Sequence, residues 1–130
     1  MTNPVGNNPT LVTNIGDLTL QTVESQAFGN VAATGADAGT ATLNTYHGVV
    51  TTTSLTTAAG GTATLTLNNN LISANSLLLV SIANGTNSAG TPAQATCTPG
   101  AGSASIVIQN IHATAALNGT LLVSYKIINP

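Results

Sequence analysis

Thr62-Ala63-Thr64-Leu65-Thr66-Leu67-Asn68 alternates without a break, with Ala63, Leu65 and Leu67 on one side and Thr62, Thr64, Thr66 and Asn68 on the other. A period of two is that of a strand with one face in a core, and β-branched Thr suits the pleated face that remains. Further short apolar runs follow, separated by turn signals, which predicts an all-β chain. Strands are expected near His47–Leu55, Thr62–Asn68, Ser76–Ala83, Ala93–Thr98, Ser103–Asn110 and Gly119–Ile128. Ala58-Ala59-Gly60-Gly61 and Pro99-Gly100-Ala101-Gly102 supply turn conformations, Asn84-Gly85 and Asn118-Gly119 are dipeptides favoured in tight turns, and Ser88–Pro92 forms a longer polar loop. Short helical turns fit Leu71–Ala74 and Ala113–Leu117.

This spacing fits a β-sandwich or barrel, and the expectation is a single small antiparallel β-sandwich, jelly-roll-like, over residues 46–130. Leu77-Leu78-Leu79-Val80 and Ile106-Val107-Ile108 are apolar on both faces, more than a lone sandwich needs. Leu77, Leu79 and Val107 are therefore expected at an oligomer interface, although a covering arm would also absorb the excess. Before Tyr46 the texture changes: Pro4, Pro9, Gly6, Gly16, Gly29, Gly35 and Gly39 punctuate short apolar fragments. Residues 1–45 read as an extended N-terminal arm, in which only Asp17–Val23 alternates as a strand would. Leu11, Val12, Ile15, Leu18, Leu20 and Phe28 are too many apolar groups for a solvated arm, so they are expected to contact a neighbouring subunit or a larger surface.

Charge is nearly missing. The 130 residues hold one base, Lys126, and three acids, Asp17, Glu24 and Asp37, where about a quarter of an ordinary domain is charged. Residues 38–125 contain no Asp, Glu, Lys or Arg. Charged side chains carry most acid–base chemistry, and their scarcity predicts that the chain is not an enzyme and takes no cofactor. One Lys cannot supply the counterion release that drives nucleic-acid binding. Residues 1–10 have neither the basic start nor the apolar run of a secretory signal, and no stretch approaches the ~18 apolar residues of a membrane span. The expectation is a soluble chain that binds neither nucleic acid nor membrane.

The remaining chemistry-bearing residues have simple readings. Cys97, the single cysteine, has no intrachain partner and no cation near it in sequence, so it reads as a small hydrophobe in a strand. His47 and His112 would need a nucleophile and an acid to form a hydrolytic centre, and every acid lies before residue 46. His112, at a strand end, reads as a structural hydrogen-bonding group, and no metal site is expected. Asn84-Gly85-Thr86 and Asn118-Gly119-Thr120 match the glycosylation acceptor pattern but read as turns. Gly60-Gly61-Thr62 lacks the Lys of a phosphate-binding loop. Thr51–Thr57 is Thr-rich without the fixed repeat of an ice-binding solenoid.

Leu55-Thr-Thr-Ala-Ala-Gly-Gly-Thr-Ala-Thr-Leu-Thr-Leu67, Leu79-Val-Ser-Ile-Ala-Asn-Gly-Thr-Asn87 and Ile111-His-Ala-Thr-Ala-Ala-Leu-Asn-Gly-Thr-Leu121 with Val123-Ser-Tyr125 together resemble a β-rich module in virion proteins of tailed bacteriophages. The stretch from Tyr46 onward is similar to modules of capsid decoration (cement) proteins and of head or tail fibre-like proteins. The resemblance implies a compact, often trimeric β module, with itself and the major capsid protein as partners. Such a protein is assembled in the host bacterial cytoplasm and fixed to the capsid surface of the virion, where it stabilises the shell by non-covalent contacts. Coiled-coil or β-helix shaft repeats are lacking, which favours decoration over the alternative, a fibre or receptor-binding tip that recognises a host surface glycan.

Overall fold

The computed structural model describes residues 28–130, which form eight strands and no helix. They are β1 (Phe28–Ala32), β2 (Gly39–Thr42), β3 (His47–Thr51), β4 (Thr62–Asn68), β5 (Leu77–Asn84), β6 (Pro92–Gly100), β7 (Ser103–Asn110) and β8 (Leu121–Ile128). Two four-stranded sheets result: a first in the order β1-β3-β8-β5 and a second in the order β2-β4-β7-β6. The expected Thr62–Asn68 and Ser103–Asn110 are strands as read, and β5, β6 and β8 lie within two residues of their expected ends.

Two expectations need correction. Residues 28–45, read as part of an arm, contribute β1 and β2 to the sheets; residues 1–27, including the expected strand Asp17–Val23, lie outside the described residues. The sheets are also mixed rather than antiparallel, because β1 pairs parallel with β3 and β2 pairs parallel with β4. Parallel neighbours need a crossover of a dozen or so residues. Here each crossover contains a strand of the other layer: residues 33–46 link β1 to β3 through β2, and residues 43–61 link β2 to β4 through β3. The first change of layer is a tight bend in which Thr34 and Thr40 exchange backbone hydrogen bonds (3.0 and 2.8 Å). Asp37 (φ 61°) and Gly39 (φ 95°) occupy the left-handed region there, and Asp37 is the only non-glycine to do so among the described residues.

The inner faces meet in one apolar core. The second sheet supplies Leu65, Leu67, Ile106 and Ile108, the first supplies Val50, Leu121, Val123, Tyr125 and Ile127, and all belong to a single buried cluster. Gly48 faces inward beside Gly29, and a Cβ at Gly48 would lie 2.8 Å from a Leu43 methyl, so the missing side chains make room for Leu43. The β3 strand stops at Thr51, short of the expected Leu55, because a hydroxyl takes over the ladder. The Leu121 N–H donates to Thr52 Oγ1 (2.9 Å), after which the Thr53 N–H turns to the Ala38 carbonyl (3.2 Å).

Neutral polar side chains close the connections. Asn110 is fully buried, and its Oδ1 accepts from the N–H groups of Thr91 (2.9 Å) and His112 (3.2 Å) while its Nδ2 donates to the carbonyls of Thr57 (3.1 Å) and Ala115 (2.8 Å). The Asn-Gly-Thr pair comes together as a reciprocal clasp: the Thr86 N–H donates to Thr120 Oγ1 (3.0 Å) and the Thr120 N–H to Thr86 Oγ1 (2.9 Å). Gly85 and Gly119 are not in the left-handed region, in contrast to the tight turns expected; glycine is required because a Cβ on Gly119 would lie 2.6 Å from the Asn87 nitrogen. Neither expected helical turn continues into a helix: the first is a pair of hydrogen-bonded turns and the second a bend. Ile72 N–H donates to the Asn69 carbonyl (3.1 Å), and His112 Nδ1 accepts from the N–H groups of Thr114 (3.1 Å) and Ala115 (2.9 Å).

Removing the Asn110 amide leaves two N–H groups and two carbonyls without their partner around a fully buried position, so Asn110→Ala is expected to cost about 3 kcal/mol. Urea denaturation checks this, the midpoint falling while the slope stays unchanged.

Candidate interaction surface

The outward faces of the two sheets are chemically opposite. On the second sheet Thr40, Thr66, Ser105 and Thr98 form one row across β2, β4, β7 and β6. On the first, the corresponding row across β1, β3, β8 and β5 is Phe28, His47, Lys126 and Leu79. Leu77 opposes Ile128 in the next row, and Leu122 opposes Ala83 at the far end. Among the described residues the exposed large hydrophobics are Phe28 (62%), Leu77 (58%), Leu79 (53%), Ile111, Leu122 and Ile128, and all but Ile111 lie on this outer face. The exposed apolar residues are thus concentrated on one face, and Ile111 stands apart from them.

Local sequence explains the arrangement. In β5 the inward Leu78 and Val80 alternate with the outward Leu77 and Leu79, so an unbroken apolar run fills both faces. In β8 the inward Leu121, Val123, Tyr125 and Ile127 leave Leu122, Lys126 and Ile128 outside. The Phe28 ring stands edge-on to His47, with centroids 5.8 Å apart and planes at 80°. Phe28, His47, Leu79, Ser124 and Lys126 border a shallow depression of about 320 Å³. Lys126 is the chain's single base, and its aliphatic stem suits an apolar surround while the ammonium stays wet.

The structure thus brings Phe28, Leu77 and Leu79 onto one surface. Val107 is half-buried on the outer face of the other sheet, between Thr64 and Thr96, and does not join them. Leu11, Val12, Ile15, Leu18 and Leu20 lie outside the described residues. Leu122, Lys126 and Ile128 join that surface, on the outward side of the two-sided alternation of Leu121–Ile128.

Elsewhere the polar groups are committed to structure. Cys97 is half-buried in β6 against the core, and burial pushes its thiol up from the ordinary value, away from the reactive thiolate. Tyr125 lies beneath the apolar face with its hydroxyl turned inward, donating to the Thr45 carbonyl (3.1 Å) and accepting from Asn69 Nδ2 (3.3 Å). A second depression of about 380 Å³, near the bend at Asp37, is lined by Ser54, Thr56, Thr57 and Thr62; there Asp37 Oδ2 accepts the Thr64 N–H (2.9 Å). Among the described residues, no three His, Cys, Asp or Glu side chains group as metal ligands would.

Searches of protein-family models, curated proteins and solved structures find no match to this chain. Its surfaces must therefore be read from their own chemistry.

Two measurements check this placement. Leu79→Ser is expected to change folding stability by less than ~1 kcal/mol, whereas Leu65→Ala, in the core, should cost ~2–5 kcal/mol. Burial raises the Tyr125 phenol above its ordinary value of 10.0. Between the unfolded and folded pKa values only the folded state keeps the proton, so this contribution is complete below about pH 10 and is lost as the pH rises further. Denaturation midpoints of the unmodified protein should fall above pH 10, and more steeply than those of Tyr125→Phe.

Proposed function

We propose that this protein is a viral structural protein, a capsid decoration or cement protein that binds the outer surface of a phage shell and stabilises it by non-covalent protein contacts. The observation that carries the reading is the concentration of Phe28, Leu77, Leu79, Leu122 and Ile128 on one sheet face, in a module whose only Asp, Glu, Lys or Arg residues after Phe28 are Asp37 and Lys126. A surface with so little charge has little repulsion to oppose permanent contact. Its contributions to a partner are area and hydrogen bonds, which is how a shell is reinforced. In this reading the partners are the major capsid protein and further copies of the chain, most simply as a homotrimer. In this reading the passage of successive strands β1 to β6 between the two sheets is the wrapping of a jelly-roll-like β-sandwich.

The alternative is a fibre or receptor-binding tip that recognises a host surface glycan. It draws support from the hydroxyl-lined depression beside Asp37, which no aromatic side chain lines. Sugar sites usually include such a platform, so decoration is favoured.

Immunogold labelling of virions with antibody raised against this protein tests the reading. Label spread over the shell is the expected outcome; label confined to tail or fibre tips would overturn it in favour of the glycan reading. Light scattering on purified protein should give a mass near three chains at micromolar concentration, and a monomer would remove the trimer from the proposal.

A further inference from the structure

The outer face of the first sheet is apolar around a single charge, and that charge says what a complementary surface must contain. Lys126 stands within a row otherwise made of Phe28, His47 and Leu79. A complementary surface is apolar and offers a carboxylate. A second copy of the same face does not meet that requirement, because that face carries no Asp or Glu to set against Lys126. Asp37, the one side-chain carboxylate among the described residues, is at the bend between β1 and β2 with an oxygen on the Thr64 N–H of the other sheet.

The chain itself contains a segment that fits. Residues 11–24 hold Leu11, Val12, Ile15, Leu18 and Leu20 with Asp17 and Glu24, the remaining two acids of the sequence. The described structure begins at Phe28, on this face, in the edge strand β1. Phe28 and Lys126 are two strands apart, roughly 10 Å at the usual strand spacing. The four residues from Glu24 to Phe28 reach at most ~14 Å, so a carboxylate at position 24 can meet the ammonium of its own chain. Asp17 has enough chain behind it to reach any point on the sheet.

We propose that the outer face of the first sheet is the docking site for residues 11–24 of the same chain, seated by their leucines, valine and isoleucine against Leu77, Leu79 and Leu122 and oriented by a carboxylate at Lys126. Docking within one chain places the apolar segment and the apolar face in each other's keeping until a larger partner competes for them. The inference does not depend on the capsid reading and concerns the free protein.

Glu24 is the only Glu, so a Glu-specific protease reports directly on the segment. With the full-length protein, Leu79→Asp is expected to speed cleavage after Glu24 roughly ten-fold or more, while Thr66→Asp, on the outer face of the second sheet, leaves the rate unchanged. Equal rates for both variants and the unmodified protein would overturn the proposal. A photo-crosslinking residue at Leu18, in an otherwise unmodified chain, keeps the test open if Leu79→Asp fails to fold. The expected products are intrachain links to peptides containing residues 77–83 or 122–128. Links to the second sheet, links only between chains, or no links would each sink it.

Discussion

Every connection that changes layer carries backbone N–H and C=O groups through or beside the core, and each must find a partner in a chain that has almost no charge to offer. Unpaired, such a group costs roughly 1–3 kcal/mol, and the crossings are numerous enough that a few failures would exceed the stability of a small domain. Amides and hydroxyls meet the demand. Asn110 joins the β7 end to residues 57, 91, 112 and 115 with four side-chain bonds. Asn118 Oδ1 holds the N–H groups of Ser88 (2.7 Å) and Ala89 (3.1 Å), and Asn87 Oδ1 holds the N–H of Asn118 (2.8 Å). An Asn both donates and accepts, so it can bridge a carbonyl to an N–H where a carboxylate could only accept. The abundance of Asn and Thr is thus a structural requirement of this topology as much as a surface preference.

With polar satisfaction handled inside the loops, the two outer faces are free to diverge. The Thr and Ser row on the second sheet is compatible with water, and no large apolar residue is exposed on that face among the described residues. The first sheet carries the leucines. The same asymmetry appears at the edges. β6 begins at Pro92, contains Pro99 and is broken by a bulge between Gln94 and Thr96, all of which discourage a further strand. β5, the edge of the first sheet, is an eight-residue strand with neither proline nor charge. Both the face and the edge that invite contact therefore belong to one sheet.

The sequence was most legible where one face is buried and the other solvated. Thr62–Asn68 alternates strictly, Ser103–Asn110 alternates apart from Val107 and Asn110, and both are strands to the residue. β1 and β2 were not legible for a physical reason: Phe28–Ala32 and Gly39–Thr42 are short, contain glycine, and take their stability from parallel partners that are distant in sequence, so no local pattern announces them. Parallel pairing was hidden for the same reason, since hairpin signals report only antiparallel neighbours. At the surface, Leu77 and Leu79 were found because an apolar run with no polar alternation must waste one face. Val107 satisfied the same rule and lies half-buried among threonines, because a β-branched residue is at home on a pleated face whether or not anything covers it. Lys126 was visible as the single base, but its position in the midst of the apolar row follows only from the strand register.

That position carries weight because charge is so scarce. In an ordinary domain one exposed lysine among many contributes little, and an exposed pair is worth at most about 1 kcal/mol. Here Lys126 is the only Lys or Arg of the sequence, it sits where solvent would be displaced by any partner of the first sheet, and screening weakens as water leaves. An uncharged apolar partner would bury the ammonium's surroundings and leave it uncompensated, which disfavours indiscriminate association. A partner with a carboxylate at the matching place is spared that cost. One charge on an otherwise neutral face can therefore discriminate between partners, and its isolation is what gives it that power.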